Sequence, residues 1–508
     1  MLKFMVFGED GLDDGLACFH SYLIGSDQHA IRANISFKAG NIVCEKRESG
    51  AAALALEYEV AGCGRLLLQT CLLPERQEPY LLSLELARRR LLLFYNKIED
   101  WSMFEARLDP SVVEPFELAR GQFIEALCDQ HDDCDRANQL ANRCLVTAIE
   151  ASELFALARA DLLLARRTAN GLLSRYPVGC GVKLDQQVEP VRDGLADSVD
   201  FLLLPMSWKE LTPHEGRYRW DLIDRWYPWL KHNRVPVIAG PVVSFESHLI
   251  PDWLFIWEHD YETIRDLVYE HTERVVARYR NLMTVWNVVS GLHMNSHFGF
   301  NFDQLMELSR MTTMLVKKIQ PAARVLVEIC HPFGEYYAAN HRSIPPLMYA
   351  DLLIQSAVSF DGFVIKLLMG PSAPGRFSFT RDLMQISHLL DQYAGYGKPV
   401  TLVVGVPSGQ SSAAAASLAG QEQNGDTSSG YWHGPWSESI QGRWLEAVFK
   451  IALSKPFIDA VAWCQWADRP DMELPMAGLV DSQLKPKNAL DGLAAFRRTL
   501  AGSPGRPH

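Results

Sequence analysis

The sequence lacks the marks of several protein classes. It has 10 cysteines among 508 residues but no C-x-x-C pair, so reduced core thiols are expected rather than a disulfide framework or a zinc site. Basic residues do not outnumber acidic ones, and the net charge of −12 argues against nucleic acid as a partner. No apolar run is long enough to cross a membrane, so a membrane partner is not expected either.

Signals for export are also missing from the N-terminal residues. Residues 1–10 read M-L-K-F-M-V-F-G-E-D, which contains no long apolar core and becomes acidic at once. We therefore expect a cytoplasmic protein. The hydrophobic content of 48% and the charged content of 22% are typical of an ordinary globular protein with a large core.

The C-terminal two thirds of the chain alternate between short apolar runs and amphipathic stretches. The runs are too brief for helices and rich in branched residues, as buried strands are, and they lie near 179–184, 199–204, 235–243, 283–289, 324–329, 362–368, 399–406 and 460–465. The helical patterns between them include Trp220–His232, Tyr261–Tyr279, Phe302–Ile319 and Ser439–Leu453. Eight strands alternating with helices predict an α/β fold, the (β/α)8 TIM barrel, with its site at the carboxyl ends of the strands.

The composition is different before the barrel. Residues 1–80 contain strand-like runs separated by glycine-containing turns, which predict a β-rich domain that either binds a ligand or only packs. Residues 81–170 have helical composition and predict a helical linker region, and residues 171–500 contain the barrel. The segment Gln410–Gly430 is rich in Ala, Ser and Gly, and we expect a mobile loop that covers one side of the barrel mouth.

One stretch resembles a catalytic motif. Residues 283–293 read M-T-V-W-N-V-V-S-G-L-H, which is similar to the W-D-V-V-N-E sequence at the end of the fourth barrel strand in glycoside hydrolase family 10, the xylanase family. Trp286 and the two valines match. Asn287 stands for the family's Asp and Ser290 for its Asn, while Gly291 stands for its general acid/base Glu. The resemblance implies the family fold with the acid/base removed.

Neighbouring segments resemble the same family in the same order. Residues 199–220 are similar to its N-E-M-K-W segment and the P-x-x-G-x-[FY]-x-[FW] pattern that follows, and residues 234–254 follow its third strand. Near the C-terminus, residues 478–481 and 485–489 resemble its final loop and helix. The resemblance covers roughly residues 172–500, about the size of a barrel with insertions.

The positions that the family uses for catalysis and sugar binding have changed together. Glycoside hydrolysis normally needs two carboxyl groups, but the family's nucleophile position falls on Val403 and its acid/base position on Gly291. The sugar-binding Asn-Glu pair of its second strand falls on Leu204 and Pro205. The resemblance therefore implies the fold without the family's own retaining machinery.

Other polar residues follow the predicted strands and are candidates for a site. Glu246 follows the third strand and Glu328 ends the fifth, so both are candidate catalytic carboxyls. Lys366, Asp468 and His331 also follow strands and are candidate substrate-binding residues. A Glu near a Lys can have its pKa tuned for acid–base work. Alternatively, Glu246, Glu328 and Lys366 form a buried ion network that replaces the lost sugar site.

Tryptophans are the other substrate-binding candidates. Trp463 and Trp466 flank the end of the eighth strand and Trp432 follows the predicted loop, so each of them either stacks on a sugar or packs internally. His293 and His297 have the i, i+4 spacing of a helical metal pair, but no third ligand is near them in the sequence. We predict neither a metal site nor a cofactor.

Three functions fit these observations, because a fold does not determine a function. The first is a carbohydrate-active enzyme that acts on a poly- or oligosaccharide with non-family residues, for which Glu328 and Glu246 are the candidates. The second is a catalytically inactive barrel that binds carbohydrate, and the third is a scaffold. If the enzyme reading holds, the N-terminal β-rich domain is a candidate carbohydrate-binding module. The sequence does not specify the sugar or the oligomeric state.

Overall fold

The computed structural model describes residues 1–7, 20–47, 49–103, 109–186, 188–195, 198–370, 378–409 and 430–501. The chain divides into two compact units. Unit 1 comprises Met1–Arg159, Met369–His388 and Ser412–Trp436, and unit 2 comprises Ala160–Leu368, Leu389–Ser411 and Ser437–His508. Two segments that follow barrel strands in the sequence, Met369–His388 and Ser412–Trp436, thus contribute described residues to unit 1; we call them the excursions.

The strands of the described residues fall into three sheets. In chain order they are β1 (Leu2–Met5), β2 (Tyr22–Ile24), β3 (Ala30–Ile31), β4 (Ala33–Lys38), β5 (Asn41–Lys46), β6 (Ala53–Val60), β7 (Gly64–Gln69), β8 (Tyr80–Leu81), β9 (Val178–Gly181), β10 (Phe201–Leu204), β11 (Val237–Ala239), β12 (Val243–Ser244), β13 (Val285–Ser290), β14 (Arg324–Cys330), β15 (Gly362–Leu368), β16 (Val400–Gly405), β17 (Tyr431–Trp432) and β18 (Ile458–Trp463).

The helices of the described residues precede, connect and follow these strands. They are α1 (Leu82–Asp100), α2 (Pro110–Asp129), α3 (Cys134–Ala169), α4 (Val188–Leu195), α5 (Trp208–Leu211), α6 (Asp221–Asp224), α7 (Tyr227–Asn233), α8 (Tyr261–Tyr279), α9 (Phe302–Ile319), α10 (Tyr336–Ala339), α11 (Pro346–Gln355), α12 (Leu383–Gln392), α13 (Glu438–Ser454) and α14 (Asn488–Ala501). Three-residue or six-residue 3-10 helices lie at Asp252–Trp257, Leu292–Met294 and Ala394–Tyr396.

Unit 1 contains two β-sheets followed by long helices. One sheet has the strand order β4-β5-β1-β8 and the other the order β17-β7-β6-β2-β3. Strand β17 comes from the excursion after β16 and pairs antiparallel with β7. Ile24, Ala53 and Leu67 pack with Phe379 of the other excursion. The predicted β-rich region and the helical region before the barrel are therefore confirmed.

Unit 2 is a closed parallel barrel. Its strands have the order β11-β10-β9-β18-β16-β15-β14-β13-β12, and β11 also pairs with β13. Strands β11 and β12 are two pieces of the third barrel strand, since both pair parallel with β13. The described residues thus form eight strand positions that close on themselves, as a TIM barrel does. The predicted barrel is confirmed.

The interior of the barrel is apolar below its carboxyl end. Phe201, Leu326, Val364 and Val403 pack together there with small alanines of β18. Because a parallel barrel strand is covered on both faces, its sequence reads as a nearly continuous apolar run. This is why the predicted strand at 362–368 coincides with β15.

Helix ends agree with the prediction where the capping residues are clear. Asp260 accepts a hydrogen bond from the backbone of Thr263 at the start of α8, and Asn301 forms a capping box with Gln304 at the start of α9. Both helices have the predicted bounds. The predicted helix Trp220–His232 is instead divided into α6 and α7, because a proline follows the first residue of α7 and is accommodated only in a first turn.

Three further expectations concern the domain boundaries, one loop and membrane-spanning helices. The division into domains at residues 80 and 170 stays a prediction. The predicted loop Gln410–Gly430 lies, apart from Gly430, outside the described residues. Among the helices that the structure describes, none is both long and apolar enough to span a membrane.

Candidate functional site

A cavity of about 200 Å³ lies at the carboxyl end of the barrel strands. Apolar side chains such as Leu203, Ile238 and Val364 form much of its wall. Its polar part belongs to a hydrogen-bonded cluster, which we call the carboxyl network, consisting of Glu246, Asn287, Ser290, Glu328, Lys366 and Glu473. Sequence reasoning placed a site at this end of the barrel, and the cavity occupies it.

Three neighbouring barrel strands carry most of the carboxyl network, while Glu246 follows β12 and Glu473 lies in the loop after β18. Glu328 lies near the end of β14, and Lys366 lies on β15 in register with Cys330 of β14. Asn287 and Ser290 are both on β13, three residues apart. In a regular strand such residues point to opposite faces, but the pairing of β13 with β14 shifts register between Asn287 and Val289. The irregularity lets both side chains reach Glu328.

The carboxyl group of Glu328 is held by neutral side chains. Its Oε2 accepts a hydrogen bond from Asn287 Nδ2 at 2.5 Å, and its Oε1 is 2.8 Å from Ser290 Oγ. Only 5% of the residue is exposed. No ion pair joins Glu328 to a cation within the described part of the chain.

The carboxylate of Glu246 has a cation beside it. Lys366 Nζ is 2.9 Å from Glu246 Oε2 and 3.2 Å from its Oε1, and 2.7 Å from Glu473 Oε2. Ser290 Oγ donates to Glu246 Oε1 at 2.9 Å. The sequence allowed a buried network of Glu246, Glu328 and Lys366. The structure pairs the lysine with Glu246 and Glu473, and joins Glu328 to them through Ser290.

The two candidate catalytic carboxyls are close to each other. Ser290 Oγ lies 2.9 Å from one and 2.8 Å from the other, so the sum of these distances, 5.7 Å, is the upper limit between the two Oε1 atoms. Retaining glycosidases hold their carboxyl groups about 5–5.5 Å apart and inverting ones about 6.5–9.5 Å apart. The two facing oxygens are therefore closer together than the carboxyl groups of inverting enzymes.

The two carboxyls differ in proton affinity. Burial, together with the nearby charge of Glu246, raises the pKa of Glu328 to about 7, although Lys366 acts in the opposite direction, as do Ser290 and Asn287 when they donate hydrogen bonds to the carboxylate. Burial also disfavours the ionised form of Glu246, but the charges of Lys366, His248 and His331 outweigh it and hold its pKa well below the usual range. The pair thus combines one proton donor with one carboxylate near neutral pH.

The positions that resemble the family's catalytic residues hold no carboxyl group. Gly291 follows β13 with φ of +72°, and a Cβ atom there would lie 2.8 Å from the backbone nitrogen of Glu246. A side chain at residue 291 is therefore excluded by both conformation and contact. Val403 pairs with Lys366 across β15 and β16 and packs in the apolar barrel interior.

Three side chains of the site have potential metal-binding atoms. Glu246, His248 and Glu473 bring one such atom each to within 4.8 Å of one another. The ammonium group of Lys366 already lies against both of these carboxylates. Burial opposes the charged form of Lys366, but Glu246 and Glu473 raise its pKa well above the usual value. The cation of this cluster is the lysine itself.

The other predicted site residues lie in different surroundings. The described residues that line the cavity include Glu246, Glu328 and Lys366 but neither Asp468 nor the three candidate tryptophans. Asp468 is 2.5 Å from Lys487 Nζ and accepts a hydrogen bond from the backbone of Gly478. These contacts stabilise the loop after β18, and a contact of Asp468 with substrate stays a prediction.

The candidate tryptophans are almost wholly buried. Trp463 donates to the carbonyl of Ala477 at 2.6 Å, and the ring of Trp466 packs against Gly194. Trp432 belongs to unit 1, where its indole N–H donates to Glu153 at 2.7 Å. These contacts account for each ring as a packing element, so sugar stacking by them also stays a prediction.

His331 is partly exposed beyond β14, and its protonated form would lower the pKa of Glu246. Asn287, Ser290 and Glu473 are the residues of the network that were not predicted as site residues, and Glu473 was not singled out in the sequence at all. It lies in the loop after β18, within the acidic segment from Asp468 to Glu473. It lies ten residues beyond the last barrel strand, where no hydrophobic periodicity predicts the direction of a side chain, although loops at this end of a barrel often carry site residues.

Comparisons with known proteins agree with the resemblance found in the sequence. Residues 205–305 match the model of glycosyl hydrolase family 10. That segment contains Glu246, Asn287 and Ser290, but not Glu328 or Lys366. No curated protein matches the sequence.

Several solved structures are similar to this chain. Native xylanase 10C from Cellvibrio japonicus is 14% identical over 66% of this chain and 73% of its own, with a TM-score of 0.48. Xylanase 10B from Thermotoga petrophila, solved with xylobiose, is 16% identical over 66% and 97%, with a TM-score of 0.45. A family-10 protein from Paenibacillus barcinonensis is 17% identical over 67% and 99%, with a TM-score of 0.46. The predicted resemblance is confirmed: the chain carries a divergent barrel similar to glycosyl hydrolase family 10, with the family match at residues 205–305.

Proposed function

We propose that this chain is a carbohydrate-active protein whose barrel binds a poly- or oligosaccharide in the cavity at the carboxyl end of its strands. In this proposal Glu328 and Glu246 replace the family's catalytic pair. The observation that carries it is the pair itself: two carboxyls within 5.7 Å of each other, one with a pKa of about 7 and one held ionised. Such an inequality distinguishes an acid from a nucleophile in glycosidases.

The cavity wall supports binding of a hydroxylated ligand. Asn287 uses its Nδ2 for Glu328, and its buried Oδ1 has no hydrogen-bond partner within the described residues. Asn287 lines the cavity. A buried acceptor without a partner costs free energy, and a ligand hydroxyl at the cavity wall would supply the missing donor.

The chemistry that this pair would perform is a double displacement. Glu328 would give its proton to the glycosidic oxygen as the bond to the anomeric carbon breaks, and a carboxylate oxygen of Glu246 would bond to that carbon. Water would then attack the same carbon and lose a proton to the Glu328 carboxylate, releasing Glu246. Both residues return to their starting states, so no cofactor is consumed.

A second candidate is a barrel that binds carbohydrate without turnover. Ser290 lies between the two carboxyls, and Lys366 contacts both oxygens of Glu246. A cation so close stabilises the carboxylate and reduces its tendency to attack carbon. This observation favours a closed ion network in place of a reactive pair.

Saccharide binding and turnover separate these candidates. A glycan array with a thermal-shift readout would be applied to the wild type, to Glu328→Gln and to the exposed control Glu273→Gln. If Glu328 is the acid, its variant keeps saccharide binding but loses at least about a hundredfold in turnover, since the amide has no proton to give. Binding that is equal in all three proteins, with no product, supports the second candidate. A protein that binds no saccharide contradicts the proposed function.

Xylan is the substrate on which we expect no turnover. Gly291 and Val403 occupy the positions of the family's acid/base and nucleophile, and losing both removes several orders of magnitude in rate. The pure wild-type protein is therefore expected not to release sugar from xylan or aryl xylosides. Robust release of xylo-oligosaccharides that a substitution at the cavity abolishes would contradict this expectation.

We also propose a cytoplasmic location. The cysteines that the structure describes are free, and several of them, including Cys44, Cys144 and Cys180, are buried. Reduced core thiols are typical of proteins from reducing compartments. Fractionation of cells that produce the chain, with a probe for free thiols, tests this proposal.

A further inference from the structure

Ser290 forms two short contacts with carboxyl oxygens, and each contact needs a hydrogen between its two oxygens. Its Oγ is 2.9 Å from Glu246 Oε1 and 2.8 Å from Glu328 Oε1. A serine hydroxyl carries one hydrogen and accepts with its lone pairs. If both carboxyls were ionised, one of these short contacts would join two oxygens with no hydrogen between them. One extra proton is therefore needed in this part of the network.

The contacts of the two carboxyls favour different protonation states. Glu246 is beside the ammonium group of Lys366, which is also paired with Glu473, and this cation stabilises the ionised form. Glu328 lacks an ion pair among the described residues, and its Oε2 already receives the N–H of Asn287. The oxygen that remains for the proton is Glu328 Oε1, the atom that faces Ser290.

We propose that Glu328 is a neutral acid and that Ser290 is the positioning residue that accepts the hydrogen bond from its proton. In this arrangement Glu328 donates from Oε1 to Ser290, Ser290 donates to Glu246, and Asn287 donates to Glu328 Oε2. The chain of hydrogen bonds has a single direction and ends at the carboxylate paired with Lys366. The proposal deepens the proposed function by assigning the proton, but its test uses the free protein without a saccharide.

Several titratable groups face this part of the barrel. Glu246, Lys366 and the buried thiol of Cys330 act on Glu328 or on its neighbours, with Glu473 beyond the lysine. His248 and His331 act on Glu246. All of them are common to the wild type and to a variant at residue 328, so a difference between the two proteins reports the proton of Glu328 together with any change in the titration of the neighbours that interact with it.

The direction of the pH dependence follows from linkage. The pKa of Glu328 rises from its ordinary value of 4.5 to about 7 on folding, so the folded state holds a proton that the unfolded state releases between these values. Stability from this group is therefore greatest below pH 4.5, falls as the pH rises towards 7, and is constant above that.

The closing experiment measures unfolding of the wild type and Glu328→Gln from pH 4.5 to 8.5. Glutamine resembles the neutral acid but cannot lose a proton. We expect the unfolding constant of the variant, divided by that of the wild type, to fall by up to about tenfold per pH unit and to become constant near pH 7. A ratio that does not change over this range contradicts the proposal, because Glu328 would then ionise normally.

Ser290→Ala tests the direction of the hydrogen bond. If Ser290 accepts from the neutral acid, its loss disfavours that acid, and the pH at which the ratio becomes constant moves down. If Ser290 instead donates to an ionised Glu328, the same loss moves that pH up, which contradicts the proposal. For this test, the unfolding constant of the double variant Ser290→Ala and Glu328→Gln is divided by that of Ser290→Ala alone. Ser309→Ala is the control, since this serine is equally buried but contacts Tyr349.

A second measurement covers the case in which a variant does not fold. Carbon NMR of the wild-type protein, labelled at the glutamate carboxyl, follows each buried carboxyl directly. A buried glutamate that titrates near pH 7 supports the proposal, and its absence contradicts it. Either result is obtained whether or not the barrel binds a saccharide, so failure of the proposed function is distinguishable from failure of this assignment.

Discussion

Two buried acidic residues, Asp382 in unit 1 and Glu328 in unit 2, have different kinds of partner. Asp382 is wholly buried and forms two hydrogen bonds with the guanidinium of Arg90, at 3.0 and 2.7 Å. Its Oδ1 also accepts from the backbone of Met384 and Gln385 at the start of α12. Every partner of this carboxylate is a fixed donor, so its role is to hold the backbone.

Glu328 is also buried, but its hydrogen-bond partners include a hydroxyl group that can act as donor or as acceptor. Ser290 can both donate and accept, and Asn287 lines the cavity and has an amide oxygen without a hydrogen-bond partner among the described residues. The comparison shows that burial alone does not identify a functional carboxyl. The two residues differ in their hydrogen-bond partners. The carboxylate of Asp382 is surrounded by a fixed cation and main-chain donors, which favour its ionised form, whereas the neutral side chains around Glu328 allow its carboxyl group to keep a proton.

The largest effect is expected at Asp382. Asp382→Asn keeps an oxygen that can cap α12 but leaves the buried guanidinium of Arg90 without its counter-charge. Breaking a buried ion pair in this way costs about 3–5 kcal/mol, measurable as a loss in the free energy of unfolding. The control is Glu270→Gln, which breaks an exposed pair with Arg274 and should cost at most about 1 kcal/mol. Equal losses in both variants would contradict the comparison.

A smaller effect is expected at Lys366, whose side chain is 15% exposed. Lys366→Met leaves the carboxylates of Glu246 and Glu473 without their cation, at a cost of about 3 kcal/mol near neutral pH. The loss should shrink in acid, because Glu246 can then take up a proton. Urea unfolding at two pH values measures this difference, with Lys209→Met, a change at a partly exposed lysine that is paired with Asp252, as control. A loss that is the same at both pH values would show that the lysine acts by packing alone.

Much of the barrel could be predicted from the sequence because its strands are buried on both faces. The predicted strands at 324–329 and 362–368 differ from β14 and β15 by at most one residue. Helices α8 and α9 have the predicted bounds because capping residues define their starts. The pairing of β17 with β7 was not predicted, since the two strands are far apart in the chain and β17 has only two residues.

The candidate site was predicted in part for the same reasons. Glu246, Glu328 and Lys366 converge because each is at or just after the carboxyl end of a barrel strand. A strand pattern gives the face on which a side chain lies but not which neighbour it meets, so Glu473 as a partner of Lys366 was missed. Both Asn287 and Ser290 reach Glu328 only through the register shift in β13, which no sequence period reveals.

The most direct measurement of the central claim is neutron diffraction from crystals of the deuterated protein at a pH below 7. Our account predicts a deuterium on Glu328 Oε1 that points to Ser290, and a deuterium on Ser290 that points to Glu246. Asn287 should present its nitrogen to Glu328 Oε2. A Glu328 carboxylate without deuterium, with the Ser290 hydroxyl directed towards it, would contradict the account.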